Sequence, residues 1–92
     1  MPYQEPSPDL SGETRDMHRA IESLREELDA IDNYNQRIDD GNDKELKALL
    51  SHNNSEEKEH AAMLIEWIRR KDATFSKELK DWLFSDKPFV HN

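Results

Sequence analysis

Apolar residues recur along the first half of the chain at Met17, Ile21, Leu24, Leu28, Ile31 and Ile38, in steps of three and four. Asn35 stands where the alternation would place another. This is a coiled-coil-like seam over three heptads, which Ala20 and Tyr34 widen on one flank. Ser11, or alternatively Asp9, is suited to cap a helix that has Glu13 and Asp16 in its first turns. With no proline to interrupt it, that helix should reach about Asp40, roughly 45 Å at 1.5 Å per residue. Asp39-Asp40-Gly41-Asn42-Asp43 then reads as a turn. Gly41 is expected at positive φ, with Asn42 or Asp43 capping the next helix. A connection this short predicts an antiparallel hairpin. The second helix should run from Asp43 or Lys44 to Arg70 or Lys71, ending on three cations that suit a helix C-terminus. A shorter third helix should start at Asp72 or Thr74. Its face is Phe75, Leu79, Trp82 and Leu83, with Phe84 beside it, and Asp86-Lys87-Pro88 should stop it. The expected organisation is a flexible leader over residues 1–10, one all-α domain over 11–85 and a tail over 86–92.

The second helix carries a different stripe. Leu46, Leu50, Asn53, Glu57, His60, Leu64 and Ile68 fall on one face at helical spacing, apolar at both ends and polar in the middle. A carboxylate and an imidazole at i and i+3 therefore point together toward the core, where leaving them without partners is costly. Glu27 lies midway between Ala20 and Tyr34, at the edge of the first apolar stripe. With Gly41 as pivot, Glu27 is fourteen residues before it and Glu57 sixteen after, so an antiparallel pair brings them within about one turn, ~5.4 Å, of the same height. Glu27, Glu57 and His60 can therefore converge on a metal ion.

Three ligands are too few for a closed dinuclear site. A two-fold dimer supplies four glutamates and two histidines, the inventory of ferritin-like dinuclear four-helix bundles. Four carboxylates also neutralise two divalent ions. Carboxylate and imidazole without sulfur suit iron or manganese, and also accept zinc or cobalt. Tyr34, two turns from Glu27, is a candidate hydrogen-bond donor beside the site or a packing residue.

Composition agrees with assembly. Only 34% of the 92 residues are hydrophobic and 37% are charged, so a monomeric core would be thin. There is no cysteine, which excludes disulfides and thiolate metal sites. Thirteen basic against twenty-one acidic residues give a net charge of −8, which argues against nucleic acid and favours cations. No apolar run suits a membrane span and the N-terminus has no secretory pattern, so a cytoplasmic or enclosed location is expected. His18 and His52 are expected at the surface or rim, and His91 in the tail. Glu22, Glu26, Asp29, Glu56 and Glu59 are expected on solvated faces or in i,i+4 pairs, although Glu26 and Asp29 neighbour Glu27 and could hand cations toward it. Trp67 and Trp82 read as core or interface anchors.

The chain resembles the encapsulated ferritins, short ferritin-like proteins carried inside encapsulin nanocompartments. The likeness spans about Ser11 to Phe84. It rests on Met17-His18-Arg19-Ala20, on Glu26-Glu27-Leu28-Asp29-Ala30-Ile31-Asp32-Asn33-Tyr34, and above all on His52-Asn53-Asn54-Ser55-Glu56-Glu57-Lys58-Glu59-His60-Ala61-Ala62-Met63. Glu66-Trp67-Ile68-Arg69-Arg70 and Trp82-Leu83-Phe84 extend it. The resemblance implies a ferroxidase site formed where two protomers meet, with Glu27, Glu57 and His60 as iron ligands and Tyr34 behind them. It implies dimers joined into a ring-shaped decamer, with oxidised iron stored by the encapsulin shell. Acidic residues matching Glu26 and Asp29 would line a metal access route, Asp29 replacing the usual glutamate. Asn33 stands where the family often has tryptophan. The sequence ends Pro88-Phe89-Val90-His91-Asn92, without the family's Leu- and Gly-containing targeting peptide, so packaging is expected to need a segment beyond it or a fusion to the shell protein. The reading is an iron oxidase; a di-iron peroxidase-type redox protein and a non-catalytic helical scaffold are the alternatives.

Overall fold

A computed structural model describes residues 11–90, as three helices. The expected leader over residues 1–10 lies outside the described residues, as do the last two residues of the tail. Helix α1 spans Gly12–Asp40, α2 spans Lys44–Lys71 and α3 spans Ala73–Trp82. Each starts on an oxygen-bearing cap. Ser11 Oγ accepts from the Thr14 amide at 3.1 Å, an Asp43 carboxylate oxygen from Leu46 at 2.9 Å, and one of Asp72 from Phe75 at 2.8 Å. Asp72 also ends α2, its amide donating to the Ile68 carbonyl, so one residue closes one helix and opens the next.

The turn differs from expectation. Gly41 is extended, at φ −77°, and its amide donates to the Arg37 carbonyl at 3.0 Å. Glycine is favoured there by space rather than handedness, since a Cβ at residue 41 would stand 3.0 Å from that carbonyl oxygen. The left-handed conformation falls instead on Phe84, at φ 60°, just after α3. The third helix stops at Trp82, short of the expected Asp86-Lys87-Pro88 stop, and the following residues turn back. Phe89 stacks on Trp82 with ring centroids 5.6 Å apart, and the Lys87 ammonium lies 4.5 Å above the same indole.

The two long helices form the expected hairpin, but α1 is rotated from its most apolar seam. Ala20, Leu24, Glu27, Ile31, Tyr34 and Ile38 are shielded along it, while Ile21 and Leu28 stand 36% and 51% exposed. On α2 the buried residues are Asn54, Ala61 and Ile68, at seven-residue spacing, with Glu57 and Leu64 between them and Leu50 before them half-buried. Leu46 and His60, expected inside, face outward. Arg69 ties α3 to α2. Its Nε and Nη2 donate to the two Glu66 oxygens at 2.6 and 2.8 Å, and its Nη1 donates to Ser76 Oγ at 3.0 Å. Arg69, with Arg70, holds the Glu66 carboxyl down to about 2.

The resulting core is thin. Among the described residues, Ala20, Ala61 and Ile68 are the buried apolar side chains. The radius of gyration is 17.1 Å, against about 12 Å for a compact domain of this length. Leu46, Leu49, Met63 and Phe75 join Ile21 and Leu28 among the exposed large apolar residues. Hydrophobic faces this open are suited to being covered by another surface.

Candidate metal centre

Capping and the short turn set the axial register of α1 against α2, and helical phase does the rest. Glu27 comes from the shielded stripe of α1, Glu57 from that of α2, and His60 from one turn further along α2 at its outer edge. One ligand atom from each of the three lies within 4.8 Å of the other two. His60 Nδ1 is 3.6 Å from Glu27 Oε2 and 3.6 Å from Glu57 Oε2. The carboxylates are three-quarters shielded, while the imidazole is 47% exposed. The cluster therefore opens outward past His60, onto an apolar groove lined by His60, Met63, Leu64 and Trp67.

Within one chain these groups do not satisfy each other. Glu27 Oε2 is buried and accepts no hydrogen bond. Two ionised carboxylates have no proton to place between them. The Glu27 pKa is accordingly raised above 4.5, first by the hydrogen bond that a shared proton makes with Glu57, then by burial and by repulsion from the Glu57 charge; His60 opposes the rise. A buried acceptor without a donor, beside a second carboxylate and an imidazole, fits a hard or borderline cation.

This raised pKa has a measurable sign. Folded Glu27 holds a proton at pH values where the unfolded chain has lost it, so the metal-free protein loses stability as pH rises from about 4.5 through the raised value. A divalent cation held by these groups would take the place of that proton. Thermal melts from about pH 4 to about pH 8 should show the decline without metal and none with saturating Zn(II), and metal loading should release protons.

The other candidates are more dispersed. Tyr34 is half-buried on α1, two turns from Glu27, with the Arg37 guanidinium 5.7 Å from its ring centroid, and it is not in the three-residue cluster. Glu26 and Asp29 are exposed, and Glu26 lines a shallow surface groove with Arg19, Glu22 and Ser23. Glu22 pairs with Arg25 at 2.9 Å and Glu56 with His52 at 2.7 Å, as expected for solvated faces. His18 is half-buried. Trp67 is half-buried and lines grooves rather than a closed core.

A residue that sequence reasoning passed over lies one turn from Glu57. Asn54, at 4% exposure, donates from Nδ2 to Asn35 Oδ1 across the helix pair at 2.8 Å. The signal was present in the seven-residue spacing of Asn54, Ala61 and Ile68.

Comparison with known proteins gives likenesses that cover most of the chain. A family model described as EncFtn-like matches residues 2–86. An encapsulated ferritin-like protein of Rhodospirillum rubrum is 52% identical over 86 residues, 94% of this chain; the chain spans 61% of that protein's length. A ferritin-like protein of Thermotoga maritima is 45% identical over 88 residues, covering 96% of this chain and 77% of that one. A crystal structure of a protein from Nitrosomonas europaea, 67% identical, superposes with a TM-score of 0.91 over 99% of this chain and 100% of that one.

Proposed function

The chain belongs to the EncFtn-like family, and from that premise we propose that it is a ferroxidase, oxidising Fe(II) to Fe(III) at a dinuclear site shared by two subunits. The convergence of Glu27, Glu57 and His60 on a point with an unsatisfied buried oxygen carries this reading. One hairpin offers three ligands and leaves them open on the side of His60. A second copy related by a two-fold axis closes that side with the same three, over the groove of Met63, Leu64 and Trp67.

Iron is the substrate. Two Fe(II) ions release two electrons, which dioxygen takes up with two protons as hydrogen peroxide; peroxide itself is the other candidate oxidant. The chain's groups hold the ions and balance charge. Glu57 bridges or chelates, Glu27 completes each coordination sphere, and His60 ligates through one ring nitrogen. Tyr34 supports the site from the neighbouring turn. Glu26 and Asp29, exposed beside Glu27, draw cations toward it. Manganese, zinc or cobalt can occupy the same ligands.

The second open flank supports a larger assembly. At 100° per residue, Leu28 and Ile21 point about 100° and about 120° around α1 from Glu27, so a dimer closed over the metal leaves them uncovered. A repeated contact through that flank joins dimers into a ring, with a decamer as the closed form. The curated relatives include an encapsulin nanocompartment cargo protein of Myxococcus xanthus, 39% identical over 59 residues. An encapsulin shell is accordingly the proposed partner, location and iron store. Among the described residues no helix is long and apolar enough to cross a membrane.

Native mass spectrometry with and without Fe(II), counting subunits and ions together, tests the proposal. An even-numbered assembly carrying two irons per subunit pair is expected. Unchanged mass and no stoichiometric metal would favour the scaffold reading. Peroxide consumption coupled to an electron donor, without net iron turnover, would favour the peroxidase.

A further inference from the structure

The rotation of α1 poses a physical question. Its most apolar seam, through Ile21, Leu24, Leu28 and Ile31, would bury more hydrocarbon against α2 than the stripe actually turned inward. The observed orientation shields Glu27, 23% exposed, and leaves Leu28 51% exposed. A turn of about 50° around the α1 axis would exchange them. Hydrophobic burial alone favours that exchange, so a directional contact is needed to hold the helix where it is.

From the geometry we infer that the Asn35–Asn54 amide pair is this contact, a rotational pin that positions Glu27 opposite Glu57 and His60. Asn35 lies eight residues after Glu27 on α1, and Asn54 three before Glu57 on α2. Their hydrogen bond, at 2.8 Å, joins the two long helices directly. By helical phase it lies on the flank opposite His60, because Asn54 and His60 are about 120° apart around α2. Carboxylates and imidazole on one side of the hairpin and an amide bond on the other together fix its rotation.

The pair is costly for a purely structural element. Asn54 is 4% exposed and its Oδ1 is buried without a partner. A buried acceptor left unpaired detracts from stability, and a polar residue in an apolar seam is known to exchange stability for a unique arrangement. Asn35 is also the single polar break in the predicted seam. The two asparagines are positioning residues; they touch no iron. The inference rests on the three-ligand site proposed above.

The test replaces both, Asn35→Leu with Asn54→Leu, in the full chain. Helix content should be unchanged and the melting temperature equal or higher, while Co(II) affinity, read by its visible spectrum, should fall by at least ~10-fold. Asn35→Asp keeps an oxygen to accept from Asn54 Nδ2 and should retain affinity within about twofold. Loss of metal with stability and subunit number intact supports the pin, because a merely structural pair would lose stability first. Unchanged Co(II) binding in the double variant overturns it, as does loss of metal that only accompanies unfolding or loss of the dimer. Parent protein that binds no Co(II) would instead refute the metal site itself.

Discussion

Glu57→Ala should abolish rapid Fe(II) oxidation, and Glu27→Ala and His60→Ala should do the same, each lowering the initial rate at least ~100-fold. Removing an outer-shell partner of a metal ligand already costs 10–100-fold in affinity or activity, so loss of a direct ligand belongs at or beyond the top of that range. In the proposed two-fold dimer the effect would be enlarged, because each substitution would remove a donor from both halves of the shared site. Glu57→Gln separates two contributions. It keeps an oxygen in place but removes the negative charge that balances the cations. Strong loss in Glu57→Gln would show that charge neutralisation carries the site; a mild loss would assign it to donor geometry. Stopped-flow absorbance of Fe(III) formation checks all four. If Glu27→Ala, Glu57→Ala and His60→Ala oxidise Fe(II) at the parent rate, the ligand assignment is wrong. None of these changes should cost much fold stability, since Glu27 Oε2 is buried without a partner and the two carboxylates repel each other when no metal is bound.

The limits of α1 and α2, the start of α3 and the axial match of Glu27 with Glu57 were legible in the sequence because local chemistry decides them; the early end of α3 at Trp82 was not. Ser11, Asp43 and Asp72 each cap through one carboxylate or hydroxyl oxygen. A three-residue turn leaves little freedom in register. The rotation of α1 was not legible, because it depends on contacts distant in sequence. Leu28 outranks Glu27 in hydrophobicity, and a ranking by seam buries the wrong one. The Asn54 amide, nineteen residues from Asn35 in sequence, joins the two helices in the observed orientation, and the proposed neighbouring copies would cover what that orientation leaves open. His60 was expected in the core for the same reason; within one chain it stands 47% exposed, and the proposed second copy would cover it. At Gly41, sequence correctly placed the turn but supplied the wrong cause, since close approach to the Arg37 carbonyl, not positive φ, favours glycine.

Ile21→Lys combined with Leu28→Lys should reduce the assembly to metal-bearing dimers while leaving iron oxidation nearly intact. In the proposed assembly the two flanks of the hairpin take separable roles. One carries Glu27, His60, Met63 and Trp67, so closing it would complete the proposed metal site. The other presents Ile21 and Leu28, both exposed in the single chain and both away from the ligands. Fully burying one such side chain is worth about 1.5–3 kcal/mol, and a two-fold contact counts each twice, so two lysines per chain remove several kcal/mol from every joint in a ring. The lysines would meet each other across that joint and repel. On the free hairpin they are simply solvated, so folding is spared. Sedimentation velocity should show the shift to dimer, and metal titration should still find two ions per dimer. A variant that keeps the parent's size would place the ring contact elsewhere. One that loses metal together with size would show that dimer and ring are closed by the same surface, and that the division of labour between the two flanks does not hold.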